Sequence, residues 1–156
     1  MNMYHKLVTD KEELLKVYGN PEAHESAYGE ELTWVDGSED GYQHMVFYTK
    51  EDDNIIGAIP FKELSRLMAE VHIHFLPEFW GTGASMKAGL MFVNWVKKNK
   101  TYLKLITWTS ENHWVTHKYL AKLDCTKMET IPNSNLYRGE VCGTVIYYKD
   151  LYKTHQ

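Results

Sequence analysis

The sequence predicts a single α+β domain of the α/β kind, with strands and helices taking turns along one chain. Three observations predict it. Segments of period-two apolar patterning alternate with segments of helical period over 156 residues, the length of one domain. One alternating strand, 67–76, runs through a glycine-containing turn into an amphipathic helix at 83–98. Apolar residues supply 44% of the chain and charged residues 24%, a balance that builds a core and excludes a disordered segment.

The elements follow in order. Residues 4–8 read as a short strand. Thr9-Asp10-Lys11-Glu12 offers a capping-box start to a helix whose apolar side is Leu14, Leu15, Val17 and Tyr18. Gly19-Asn20-Pro21 stops it. Residues 22–31 are acidic and read as a second helix or a loop over a site, and 36–41 as a polar turn. Strands at 45–49 and 55–61 form a hairpin about the turn 51–54. Gly57 marks a bulge or a close backbone approach, and Pro60 an edge position. In the strand 67–76, Val71, Ile73 and Phe75 point one way and Glu70, His72 and His74 the other. Residues 77–82 are a turn. In the helix 83–98, Met86, Leu90, Val93 and Lys97 form one stripe, with Ala84, Ala88, Met91 and Trp95 beside it. Residues 102–108 are a strand, and 112–122 a helix capped near Thr109 or Ser110. Strands at 126–131 and 141–148 are joined by a polar loop, 133–139. Without a repeat, a low-complexity tract or a linker, residues 1–156 form one domain.

Charge narrows the partners. Seventeen Lys and Arg face 21 Asp and Glu, for a net charge of −4, and the basic run 97–100 is short and sits at a helix end. Nucleic-acid binding by phosphate neutralisation is therefore not expected. The two cysteines, Cys125 and Cys142, have no metal-site spacing, so no metal is expected. No stretch approaches the ~20 apolar residues of a membrane span, and residues 1–9 lack an apolar signal core. The expected location is the cytoplasm. Oligomeric state is open, a homodimer included.

The segment Phe75-Leu76-Pro77-Glu78-Phe79-Trp80-Gly81-Thr82-Gly83-Ala84-Ser85 carries the first functional signal. A helix N-terminus presents unpaired N–H groups and partial positive charge, and both suit a pyrophosphate. Glycines let the backbone approach phosphate oxygens closely. No lysine of the nucleotide-hydrolysing kind follows, so ATP or GTP is not implied. The plain alternative is a tight strand-to-helix turn.

Trp80-Gly81-Thr82-Gly83-Ala84-Ser85 resembles the central motif of the GNAT (GCN5-related N-acetyltransferase) superfamily: Arg or Gln, two residues, Gly, one residue, then Gly or Ala. Trp80 stands in place of the basic or amide residue, as in the ribosomal-protein and small-amine branch, and Ser85 in place of the final small one. The run from Leu105 into Asn112, and Lys122-Leu123-Asp124-Cys125, are similar to the family's "Asn … Lys-Leu-Gly-Phe" segment. Asp124 and Cys125 replace Gly-Phe, and the Asn-to-Lys spacing is one residue longer. The resemblance covers about residues 45–148. Glu70-Val71-His72, Leu76-Pro77 and Gly81 also resemble a segment of small GNAT-like proteins of tailed phages, some of them virion or head-assembly components. That resemblance implies phage particle proteins as partners and the host cytoplasm as location.

The family resemblance implies a mixed, mostly antiparallel sheet of six to seven strands, helices on both faces and a splayed gap between strands four and five. It implies acetyl-CoA as cosubstrate, bound by Trp80, Gly81, Thr82, Gly83, Ala84 and Ser85 and by the backbone of His74, Phe75 and Leu76, with Asn112 reaching the pantetheine or the acceptor. The acceptor is then a primary amine of a small molecule or a protein. Glu70 is the first choice as general base, and the other reading of it is an ion-paired glutamate. His72 is a candidate proton relay, since imidazole titrates near neutrality; with His74 it otherwise reads as a partly buried, satisfied histidine. Tyr119, seven residues after Asn112, matches the family's tyrosine that protonates the CoA sulfur, against core packing as the alternative. Trp34, Trp80, Trp108 and Trp114, with Tyr28 and Tyr42, are candidate walls of an acceptor pocket. The departures at Trp80, Asp124 and Cys125 leave a second function class open, a catalytically inactive binding or structural protein.

Overall fold

The computed structural model describes residues 1–28 and 41–152. Strand β1 (Met3–Leu7) leads into helices α1 (Lys11–Tyr18) and α2 (Pro21–Tyr28). Strands β2 (Tyr42–Thr49) and β3 (Ile55–Ser65) follow, then β4 (Met68–Val71), β5 (His74–Phe75) and a 3-10 turn at Pro77–Phe79. Helix α3 (Ala84–Asn99), strand β6 (Lys104–Ser110) and helix α4 (Trp114–Lys122) precede a long hairpin, β7 (Thr126–Tyr137) and β8 (Glu140–Asp150). The sheet order is β1-β2-β3-β4-β6-β8-β7, with β5 paired to β3. All pairings are antiparallel except β4 with β6. This is the mixed, mostly antiparallel sheet that the family resemblance implies, with eight strands in seven lanes.

β4 and β5 are two halves of one lane. Val71 faces Phe61 and His74 faces Ala58, so a single register runs through both. The break falls opposite Pro60. His72 N–H donates to the Pro60 carbonyl at 2.9 Å, and proline has no N–H to return. Pro60 is thus not at an edge, as its residue type suggests, but inside β3 between two neighbours. Gly57 answers to both of its expected roles. The β2–β3 register shifts beside it, and a Cβ there would lie 2.4 Å from the His74 carbonyl oxygen.

Alternation along the strands sorts the core into two layers. Met45, Phe47, Ile59, Phe61 and Phe75 pack under α3, while Val46, Tyr48 and Ala58 pack under Leu14, Val17 and Tyr18 of α1. Helix α3 buries Ala84 and Ala88, which the sequence places beside the stripe, together with Phe92 and Val96, while Leu90 of the predicted stripe is half-exposed. The two alanines let the N-terminal half of α3 lie close to the sheet, and the larger pair fills the space beyond. Leu120 of α4 packs on Val145 and Tyr147 of β8.

Several element ends differ from expectation. Asp10, not Thr9, is the N-cap residue of α1, and no side chain caps it, so the capping box does not form. Gly19 caps the end of α1, and Asn20 starts the next helix, its Oδ1 accepting from Ala23 N–H at 2.9 Å. Of the predicted loop at 133–139, residues 133–137 are strand and only 138–139 turn. Asn133 at φ +50 forms a bulge, and Arg138 and Gly139, at φ +51 and +80, make the tight reversal. Residues 29–31 of the predicted second helix and 36–40 of the polar turn lie outside the described residues. Among the described residues no helix is long and apolar enough to cross a membrane.

Candidate functional site

β4 and β6 run side by side from Met68 opposite Lys104 to Glu70 opposite Ile106, and then part. The β4–β5 lane stays on β3, while β6 stays on β8 as far as Ser110. The result is a V-shaped gap with its vertex at Glu70 and Ile106. His72 and Leu76 donate their N–H groups to β3, each at 2.9 Å. By the alternation of an antiparallel ladder, the backbone groups of Ile73 and Phe75 face the gap. Of the expected edge His74–Phe75–Leu76, His74 and Leu76 are paired with β3, and only Phe75 faces the gap, with Ile73 beside it.

The Trp80–Ser85 loop leads from this edge into α3. Gly81 and Gly83 have φ of +73 and +85, with open space where a Cβ would stand. Backbone conformation, not crowding, is what demands glycine here. Thr82 Oγ1 donates to Phe79 O at 2.6 Å and accepts from Ala84 N–H at 3.3 Å, which ties the turn to itself. The Trp80 indole N–H donates to Phe75 O at 2.9 Å, latching the loop to the gap. Gly83 caps α3, so its own N–H and those of Ser85 and Met86 have no intrahelical acceptor and suit an anion.

One side of the gap is polar. The Glu70 carboxylate, 5% exposed, accepts from the Tyr42 hydroxyl and lies 2.6 Å from His72 Nε2. The His72 ring meets Trp108 of β6 edge-on at 4.9 Å, so the two lips of the gap touch there. His74 is buried against Tyr18, with ring centroids 5.1 Å apart. Burial, aided by His72, His24 and His44, pushes its pKa down to about 3. His74 is thus a neutral packing residue near pH 7. Tyr137 donates to Ser26 O at 3.0 Å, joining the β7–β8 hairpin to α2 on the far side.

The other side is apolar. Val71 and Ile73 from one lip, Ile106 from the other, Phe92 of α3 and Leu120 of α4 line a cleft continuous with the gap. Tyr119 stands at its edge, its hydroxyl donating to Ser85 O at 2.8 Å and packed over Gly89. Burial holds that hydroxyl well above the usual phenol range, so it keeps its proton. Asn112 is exposed and precedes α4, which starts at Trp114 with His113 as cap, so Asn112 does not begin a helix.

Comparison with solved structures shows the same architecture. Spermidine N-acetyltransferase from Vibrio cholerae, solved with CoA and spermine, superposes with a TM-score of 0.80 over 96% of this chain and 95% of that one, at 12% identity. Ribosomal-protein-S5-alanine acetyltransferase from Vibrio fischeri gives 0.77 over 95% and 92%, at 14% identity. The smu.2055 protein of Streptococcus mutans gives 0.75 over 97% and 100%, at 17%. The chain has the GNAT fold. No protein-family model matches it, and no curated protein does.

The fold also accounts for two departures from the GNAT motifs. Asp124, where the family has glycine, sits at φ +58, a left-handed position that Asp tolerates better than most residues. Trp80, in place of the basic residue, makes the latch to Phe75. Of the expected aromatic walls, Trp108 and Tyr42 reach the polar side, and Trp114 is 70% exposed. Trp34 and the side chain of Tyr28 lie outside the described residues. The bond from Tyr42 to Glu70 escapes sequence reasoning because the strand is predicted only from residue 45. The Tyr42–His44 alternation was the available signal.

Proposed function

We propose that the protein is an N-acetyltransferase that moves an acetyl group from acetyl-CoA to a primary amine of a small molecule or a protein. The observation that carries this reading is the Glu70–His72–Tyr42 cluster at the vertex of the gap, with the apolar cleft on the opposite side of the same strand. The pyrophosphate of acetyl-CoA would sit on the first turn of α3, and the pantetheine would extend the sheet along Ile73 and Phe75. The amine nitrogen attacks the thioester carbon. Its proton passes to Glu70, directly or through the 2.6 Å contact with His72. An N–H facing the gap stabilises the oxyanion. The C–S bond then breaks, and Tyr119 supplies a proton to the departing sulfur.

A structural protein without activity, such as a phage head component, has no need for a buried carboxylate held by two donors beside a gap. The test is calorimetric binding of acetyl-CoA together with thiol release in the presence of an amine panel. Glu70→Gln is expected to lower kcat about 100-fold or more while acetyl-CoA still binds. Failure of the wild-type protein to bind acetyl-CoA at millimolar ligand would end this reading.

A further inference from the structure

Helix α3 carries a glycine where alanine would make the stronger helix. Gly89 is buried in the middle of the helix, next to Ala88, and glycine weakens a helix interior. Its backbone is helical, so conformation does not demand glycine here. Crowding does. A Cβ at this position would stand 2.5 Å from the Tyr119 hydroxyl and 3.2 Å from Leu123 Cδ1. These neighbours are side-chain atoms, so the glycine does not serve to bring two backbones together. The Leu123 methyl is the end of a flexible side chain and can yield. The Tyr119 hydroxyl is pinned, because it donates to Ser85 O at 2.8 Å.

Helix geometry links the three residues. Ser85 O is the carbonyl that faces the Gly89 N–H four residues on, and it has a second lone pair to offer. A Cβ on residue 89 would tilt back toward that carbonyl. Tyr119 reaches it because residue 89 has no side chain. The hydroxyl is thereby fixed to the first turn of α3. Gly89, Tyr119 and Ile73 all line the cleft that is continuous with the gap.

We infer that Gly89 is a positioning residue for proton transfer to the departing thiol: it sets the place of the Tyr119 oxygen. The O–H turns from Ser85 O toward the sulfur by rotation about the C–O bond, with the oxygen held in place. The Tyr119 proton goes to the CoA thiolate as the C–S bond breaks, and the phenoxide regains a proton from water before the next turnover. This inference rests on the acid role of Tyr119 in the reading above and adds to it what holds the acid in position.

The experiment is a double-mutant cycle of Gly89→Ala and Tyr119→Phe, read by steady-state thiol release, calorimetric acetyl-CoA binding and thermal melting. Tyr119→Phe is expected to lower kcat about tenfold or more. Gly89→Ala is expected to lower kcat about tenfold with acetyl-CoA affinity unchanged, and to cost nothing further in the Tyr119→Phe background. Its effect on melting should change sign. Gly89→Ala lowers Tm in the wild type, where the Cβ meets the hydroxyl. It raises Tm by a few degrees in Tyr119→Phe, where the helix preference of alanine is unopposed. Wild-type kcat in folded Gly89→Ala, or the same loss in both backgrounds, would overturn the inference. Where Gly89→Ala alone does not fold, the double variant decides: a Tm above that of Tyr119→Phe supports the inference, and a Tm below it overturns it. Unchanged kcat in Tyr119→Phe would end the acid role and this inference together, leaving CoA binding and Glu70 as they stand. Absence of thiol release by the wild type with any amine would end the acetyltransferase reading itself.

Discussion

The two faces of one strand hold opposite chemistry. On the α1–α2 face, Glu70 is hydrogen-bonded to Tyr42 and His72, while His72 and His74 meet the rings of Trp108 and Tyr18 edge-on. On the α3–α4 face, Val71, Ile73 and Phe75 meet hydrocarbon. A side-chain period of two makes this separation possible within six residues. In the proposed function, the base and the thioester would lie on opposite faces of this strand, and the gap joins the two faces.

The largest expected effect breaks the comparison by acid. His74 on the polar face and His113 at the start of α4 have pKa values lowered by burial, to about 3 and about 4 from 6.5. Their unfolded forms bind a proton below pH 6.5 and their folded forms do not. Stability is thus complete above that pH and falls as pH drops toward 4. Each pH unit of descent removes about 1.4 kcal/mol per such histidine. Denaturant midpoints at pH 7 and pH 5 are expected to differ by about 2–4 kcal/mol in stability. His74→Gln should remove roughly half of that difference; if the pH dependence is unchanged, the polar face is not its source.

A smaller effect sharpens the comparison. Tyr42→Phe takes one donor from Glu70 and leaves the apolar face untouched. Steady-state kinetics are expected to show kcat down about tenfold, with acetyl-CoA affinity unchanged. A matching loss of affinity would mean that the two faces are coupled.

The smallest effect tests the link between loop and gap. Trp80→Phe keeps the ring and deletes the N–H that holds Phe75 O. About 1 kcal/mol is at stake, and acetyl-CoA binding should weaken about fivefold without a change in kcat. Unaltered binding would show that the latch does not shape the site.

The sequence by itself determined much of the fold. The strand–turn–helix order around Trp80–Ser85, the two-sided pattern of Glu70 to Phe75, and the glycines at 81 and 83 all follow from local rules of period and backbone sterics. So did the candidacy of Glu70, His72 and Tyr119. Tertiary structure alone decided what those residues touch. The Tyr42–Glu70 bond joins residues 28 apart, the His72–Trp108 contact crosses the gap, and Tyr119 meets Ser85 from another helix. Which stripe of α3 is buried also depended on the sheet beneath it, since Leu90 and Phe92 are both apolar and only one faces the core. Pro60 shows the limit most clearly. Its residue type argues for an edge, yet the neighbouring lane accommodates it by giving up one bond just after β4 and β6 part. Local chemistry fixes a residue's preferences, and pairing across the sheet chooses among them, because a contact between distant residues exists only once the chain has closed around it.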